Sequence, residues 1–180
     1  MDNIRAGLAN PRVAPKEPLG YSDAVKTILV PIDFSGITDA VVTEASTLAR
    51  AVGARVYLFA VVQPPAVLNE YAAIMENIAE INAAGEKNAI RQLAKFEAKL
   101  AAEAVTSESS HAVGSPIPLI VSQAEKCEAD YIVMGSHGHT ALYDLLVGST
   151  THGVLMRAKC PIVIVPATKE PIPLKSKGSK

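Results

Sequence analysis

The part of the chain best equipped for chemistry is Gly135-Ser136-His137-Gly138-His139-Thr140-Ala141-Leu142-Tyr143-Asp144-Leu145-Leu146-Val147-Gly148-Ser149-Thr150. Gly135 and Gly138 lack a Cβ, so the backbone there approaches a ligand closely and turns in ways other residues resist. Gly148 stands beside Ser149 and Thr150 where a helical pattern begins. Backbone N–H groups and two hydroxyls at such a point make a seat for an anion. The stretch is not a Walker P-loop, because no Lys follows the third glycine, and it is not a G-x-G-x-x-G fingerprint. Taken singly, Gly135 and Gly138 are more often turn residues than phosphate binders; what points to a site is their convergence with Asp33. A second group with chemistry is Asp33, after the apolar run Thr27-Ile28-Leu29-Val30-Pro31-Ile32. An acid there accepts hydrogen bonds from a sugar or holds a phosphate-bound metal; the alternative is that it caps the next helix.

Other reactive side chains form no constellation. His137, His139 and His152 invite a metal site, yet no cysteine or second tight cluster completes a tetrahedral set. No Ser–His–Asp order or nucleophile elbow stands out, and Tyr143 and Asp144 read as solvated or packed. Cys160 precedes an apolar run, where a small inert hydrophobe is expected. Cys127, near Asp130, shows no cation to lower its pKa.

These residues need a scaffold, and composition says which kind. The chain has 180 residues, 49% of them hydrophobic and 19% charged, with mean hydropathy +0.22. Such a chain is too apolar for disorder and long enough for one ordinary domain. With five Tyr, three Phe and no Trp, its core must be built from Val, Ile, Leu and Ala. A net charge of −1 leaves no basic surplus for nucleic acid or an anionic membrane. Two cysteines outside any C-x-x-C give no disulfide framework. No apolar stretch reaches membrane-spanning length, and residues 1–26 lack the apolar block of a secretory signal. The expected compartment is the cytoplasm.

Three prolines each interrupt residues 1–25 and 166–180, so a mobile N-terminal arm (1–25) and a flexible basic C-terminal tail (167–180) are expected around one domain, 26–166. Buried strands are expected at Thr27–Ile32, Val56–Val62, Tyr131–Met134 and Pro161–Val165, with a weaker, polar one near Val105–Val113. Helices are expected over Ser35–Val52, with Ser35 as N-cap and Gly53 as C-terminal stop, and over Leu68–Val105. The longer one should bury Ile74, Ile78, Ile81, Ile90, Leu93, Phe96 and Leu100 and kink or break at Gly85. Further helices should open at Gly114-Ser115-Pro116 and span Ser149–Ala158. This alternation predicts an α/β fold: a doubly wound, flavodoxin- or Rossmann-like parallel sheet of five strands with helices on both faces. Such sheets bind ligands beyond the carboxyl ends of their strands, where Asp33 and both glycine segments would meet.

The sequence Pro31-Ile32-Asp33-Phe34-Ser35, the spacing Gly135-x2-Gly138-x9-Gly148-Ser149 and the ending Cys160-Pro161-Ile162-Val163-Ile164-Val165 resemble the universal stress protein family over about residues 25–166. The glycine spacing is that of its ATP-binding branch. The resemblance implies ATP (or ADP or AMP) with Mg or Mn, and a cytosolic stress-linked sensor or regulator that docks to a protein partner. Pro31 and Asp33 would then sit by the nucleoside, and Val61 would meet adenine through its backbone. Met134, Gly135 and Gly138 would line the ribose and α-phosphate, and Gly148, Ser149 and Thr150 the outer phosphates. Many relatives carry Arg after the second glycine, where this chain has His139, so phosphate binding here would lean on amides, hydroxyls and a divalent ion. The resemblance further implies a homodimer through the last strand, Ile162–Val165. Slow ATP hydrolysis and a non-nucleotide binding module remain alternatives; against hydrolysis, Asp33 and His139 are the only plausible groups to activate water.

Overall fold

Uninterrupted runs of Val, Ile and Leu form strands covered on both faces, and the computed structural model shows four such strands and one polar strand. It describes residues 26–64, 73–136 and 147–167, with residues 73–78 as backbone only. The strands are β1 (Lys26–Ile32), β2 (Ala54–Val62), β3 (Ser107–Val113), β4 (Tyr131–Gly135) and β5 (Ile162–Val165). The helices are α1 (Thr38–Val52), α2 (Ala73–Ala102), α3 (Pro116–Lys126) and α4 (Ser149–Leu155). All strand pairs are parallel, in the order β3-β2-β1-β4-β5. Register brings Ile28 beside Val56, Leu29 beside Ile132 and Met134 beside Ile164. The predicted doubly wound sheet is thus observed. Its order reverses between β1 and β4, and a crevice opens beyond their carboxyl ends.

The sheet carries a core on each face. On one side Val30, Val41, Val42, Ala45, Leu58, Leu93 and Leu100 join it to α1 and α2. On the other, Leu29, Phe59, Ile120, Ile132, Met134 and Val154 join it to α3 and α4. Each fully buried aliphatic side chain of this size contributes about 1.5–3 kcal/mol of transfer free energy. That apolar clamp fixes where the strand ends, and so the crevice, must lie.

Three local expectations are corrected. Ser35 does not cap α1: the cap position is Ile37, with no side-chain bond. The Asp33 carboxylate accepts the Ser35 N–H at 3.0 Å, Phe34 takes a left-handed φ of 60°, and the Ser35 carbonyl accepts the Thr38 N–H at 3.0 Å. This turn uses up the residues that would have begun the helix. At its other end Gly53 stops α1 as expected, with φ 66°. Next, α2 runs unbroken through Gly85, where an added Cβ would lie 2.9 Å from Val62 Cγ1. The glycine there serves close approach to β2 and not a kink. Finally, Ile81 and Ile90 are about half exposed, while Ala89 is buried with Leu93 and Leu100. The small residue lies on the face that packs tightly, so the buried stripe is rotated from the one that large side chains suggest. Ile74, Ile78 and residues 68–72 of the expected helix lie outside the described side chains or residues.

The two sheet edges differ. β3 reads Ser-Glu-Ser-Ser-His-Ala-Val, with Ser110 bonded to Tyr57, Glu108 to Arg55 and His111 to Glu86. β5 reads Ile-Val-Ile-Val, and its Val163 is 38% exposed.

A cleft at the switch point

The cleft beyond β1, β2 and β4 has a volume of about 370 Å³. Four segments distant in sequence bring the expected residues to it. Pro31 and Asp33 come from the end of β1, Val61 from the end of β2, and Met134 and Gly135 from the end of β4. Gly148, Ser149 and Thr150 arrive with the start of α4. Gly138 and His139 lie outside the described residues, as do His137, Tyr143 and Asp144. His152 is exposed on α4 and does not line the cleft. Among the described residues no group of histidines, cysteines and carboxylates could by itself hold a metal ion.

Hydrogen bonds lock the rim. The Gly148 N–H donates to the Ser136 carbonyl at 2.6 Å, so the chain returns after residues 137–147 to the point where it left. The Thr151 hydroxyl donates to the Gly135 carbonyl at 2.8 Å, tying α4 to the end of β4. Ser136 N–H donates to the Val165 carbonyl at 2.8 Å, and Ser136 Oγ accepts the Ala167 N–H at 3.0 Å, which joins β5 to the same corner. These bonds preorganise the backbone on which a ligand would rest.

The inner wall is apolar: Ile37, Val41, Phe59, Ile120 and Met134. Polar atoms come from Asp33, Thr38, Gln63, Ser149, Thr150 and Thr151. Among the described lining residues Asp33 is the one ionisable side chain. A cleft that offers apolar side chains together with hydroxyls and peptide groups suits a flat ring joined to an anionic or hydroxylated tail.

The universal stress protein family model matches residues 24–166, four fifths of the chain. The chain belongs to the universal stress protein family. A universal stress protein of Methanocaldococcus jannaschii, MJ0531, is 31% identical over 146 residues, covering 81% of this chain and 84% of its own length. Among solved structures, the universal stress protein UspA from Lactobacillus plantarum superposes with a TM-score of 0.71 at 27% identity, covering 79% of this chain and 99% of that one. A universal stress protein crystallised in complex with cAMP gives a TM-score of 0.57 at 25% identity, covering 78% and 96%. The resemblance read from the sequence motifs is thereby confirmed, as is the fold it implied.

Within this member of the family, sequence reasoning missed several lining residues. Phe59 and Ile120 were visible only as core, because a wall residue and a core residue share one apolar signature. Thr38 and Thr151 carry hydroxyls just inside helices, where sequence alone does not say which way they face. Gly153 was also overlooked. An added Cβ there would stand 2.4 Å from Ile117 Cδ1, so it is this glycine that lets α4 close against α3.

The cysteines follow expectation with one amendment. Both are partly buried and free, packed on the α3/α4 side of the sheet. Desolvation pushes both thiols up from their ordinary pKa. Cys127 does face a cation, Arg55, but its effect is smaller than that of burial.

Proposed function

We propose that the chain binds an adenine nucleotide in this cleft and acts as a homodimeric, nucleotide-responsive regulator in the cytoplasm. The observation that carries the reading is convergence: Asp33, Val61, Gly135 and Gly148–Thr150 come from separate parts of the chain and line a single cleft. A volume of about 370 Å³ lies within the range of small-molecule and cofactor sites. A family member solved with cAMP adds support for adenine nucleotides as the ligand class.

In this reading adenine lies along the apolar wall and meets the Val61 backbone, while Pro31 and Asp33 border the nucleoside. Met134, Gly135 and Gly138 flank the ribose and α-phosphate. Gly148, Ser149 and Thr150 receive the outer phosphates through amides and hydroxyls, with His139 nearby. No Lys, Arg or His occurs among the described lining residues, so the phosphate charge calls for a divalent cation. The Ser149 and Thr150 hydroxyls are hard oxygen donors of the type Mg²⁺ or Mn²⁺ accepts. Such an ion would neutralise charge on the phosphates.

A regulatory role follows from what the wall provides. It offers surfaces for binding and a single described ionisable group, which favours holding a nucleotide over turning it over. Regulation then requires that nucleotide bind one of two states better, shifting the population read by a protein partner. The apolar edge of β5, with Val163 exposed, supports pairing between two copies of the chain.

Melting the purified chain with and without ATP and Mg²⁺ tests the reading. Ligand at one hundred times Kd stabilises the folded state by about 2.7 kcal/mol. A melting temperature that stays unchanged up to millimolar ATP overturns it. Phosphate release from wild type and Asp33→Ala then separates sensor from hydrolase, because a sensor shows no turnover for the substitution to remove.

A further inference from the structure

Thr38, the first residue of α1, lines the cleft and is only 3% exposed. Its hydroxyl is buried without a hydrogen-bond partner. Its N–H is already satisfied by the Ser35 carbonyl, and the helix draws no side-chain cap. The side-chain oxygen therefore serves neither the turn nor the helix. A buried hydroxyl left unpaired is a standing cost to the folded state, and a valine would fill the same space without it. Ser35 Oγ is also buried and unpartnered, but Ser35 does not line the cleft.

Charge decides what Thr38 could receive. Asp33 begins the same turn and is exposed on the cleft, and no described lining side chain is cationic. A phosphate beside Thr38 would lie close to that carboxylate, whereas one beside Ser149 and Thr150 meets hydroxyl donors. A neutral polar atom, such as a ring nitrogen, an exocyclic amine or a sugar hydroxyl, meets no such penalty. A threonine hydroxyl serves such an atom as donor or as acceptor.

We propose that Thr38 is a specificity-determining residue of the cleft, its hydroxyl hydrogen-bonding a neutral polar atom of the nucleoside while the phosphates lie toward Gly148-Ser149-Thr150. The inference rests on the nucleotide reading above and adds to it a residue that selects. A ligand that pairs the hydroxyl removes a cost the folded chain already bears, so it is preferred over one that leaves the group unpaired.

The test uses full-length wild type, Thr38→Val and Thr38→Ser. Adenosine, Mg·ATP and tripolyphosphate are titrated calorimetrically, and each unliganded protein is melted. Thr38→Val is expected to lose about three- to tenfold in affinity for adenosine and for ATP alike, the worth of one neutral hydrogen bond. Thr38→Ser is expected to restore most of that loss, and any binding of tripolyphosphate stays unchanged. Unliganded Thr38→Val is expected to melt no lower than wild type, since it removes an unsatisfied group. Three results overturn the proposal: unchanged affinity for adenosine and ATP in Thr38→Val, an equal loss for tripolyphosphate, or an unliganded variant that melts several degrees lower. Wild type that binds neither adenosine nor ATP instead overturns the nucleotide reading itself, and the selecting role falls with it.

Discussion

The Thr151 hydroxyl donates a 2.8 Å hydrogen bond to the carbonyl of Gly135, and this bond ties a side chain of α4 to the last residue of β4. Thr151 is 4% exposed, so its side chain is held within the packed corner where the bond forms. Thr151→Val keeps the shape and removes the donor. The variant should lose about 1–2 kcal/mol of stability in urea unfolding. If nucleotide occupies the cleft, its affinity should fall as well, because the β4 end and α4 are no longer held together.

Gly153 gives a prediction whose sign reverses with background. Replacing a helical glycine by alanine ordinarily gains up to about 1 kcal/mol. Here the new Cβ meets Ile117 Cδ1 at 2.4 Å and Cγ1 at 2.9 Å. Overpacking of this kind costs about 1–3 kcal/mol, so Gly153→Ala should destabilise the native chain. In an Ile117→Ala background, which clears the space, the same substitution should stabilise. A double-mutant cycle by denaturant unfolding reads the coupling directly.

The thiols predict an alkaline weakness. Burial holds the pKa of Cys127 and Cys160 above that of the unfolded chain. The folded state then keeps protons that the unfolded state releases. Their contribution is intact below the unfolded pKa of about 8.5 and is lost as pH rises from there through the raised folded values. The urea midpoint should decline above about pH 8.5, and less so in Cys127→Ala/Cys160→Ala measured against its own neutral-pH value. Alkylation by iodoacetamide at pH 8 should be slower in the native chain than in the urea-unfolded one.

The Lys159–Glu125 pair, at 2.8 Å, is the contrasting case. The bond that Lys159 donates to the Glu125 carboxylate raises the lysine pKa, yet the lysine side chain is 83% exposed. Exposed pairs of this sort contribute little, and Lys159→Ala should leave the melting temperature within about a degree of wild type.

What the sequence revealed depended on whether one residue type had one structural meaning. Ile28–Val30 and Ile132–Met134 are legible as strands because continuous β-branched and aliphatic runs bounded by turns have few other uses. The eight described residues expected at the site converge because chain topology, not side-chain detail, brings strand ends together. Illegibility begins where size and position trade places. Ala89 is buried while Ile90 beside it is half exposed, a choice set by how closely α2 approaches the sheet. Ser35 is a good helix cap by type, but the Asp33 carboxylate takes its N–H and moves the helix start onward. Thr38 could not be singled out, since a threonine that faces water and one stranded in a cleft are spelled alike.

The unlike borders of the sheet limit how large an assembly can grow. A filament needs two sticky flanks per molecule, one to give and one to receive. The Ser-Glu-Ser-Ser flank is polar, its side chains bonded inward to Tyr57 and Arg55, and it carries the charged Glu108, features that discourage a further strand. The Ile-Val-Ile-Val flank is the apolar one. If two copies of the chain pair through it, that border is used up, and growth by sheet extension would end at two, a limit set by which strand lies outermost on each side.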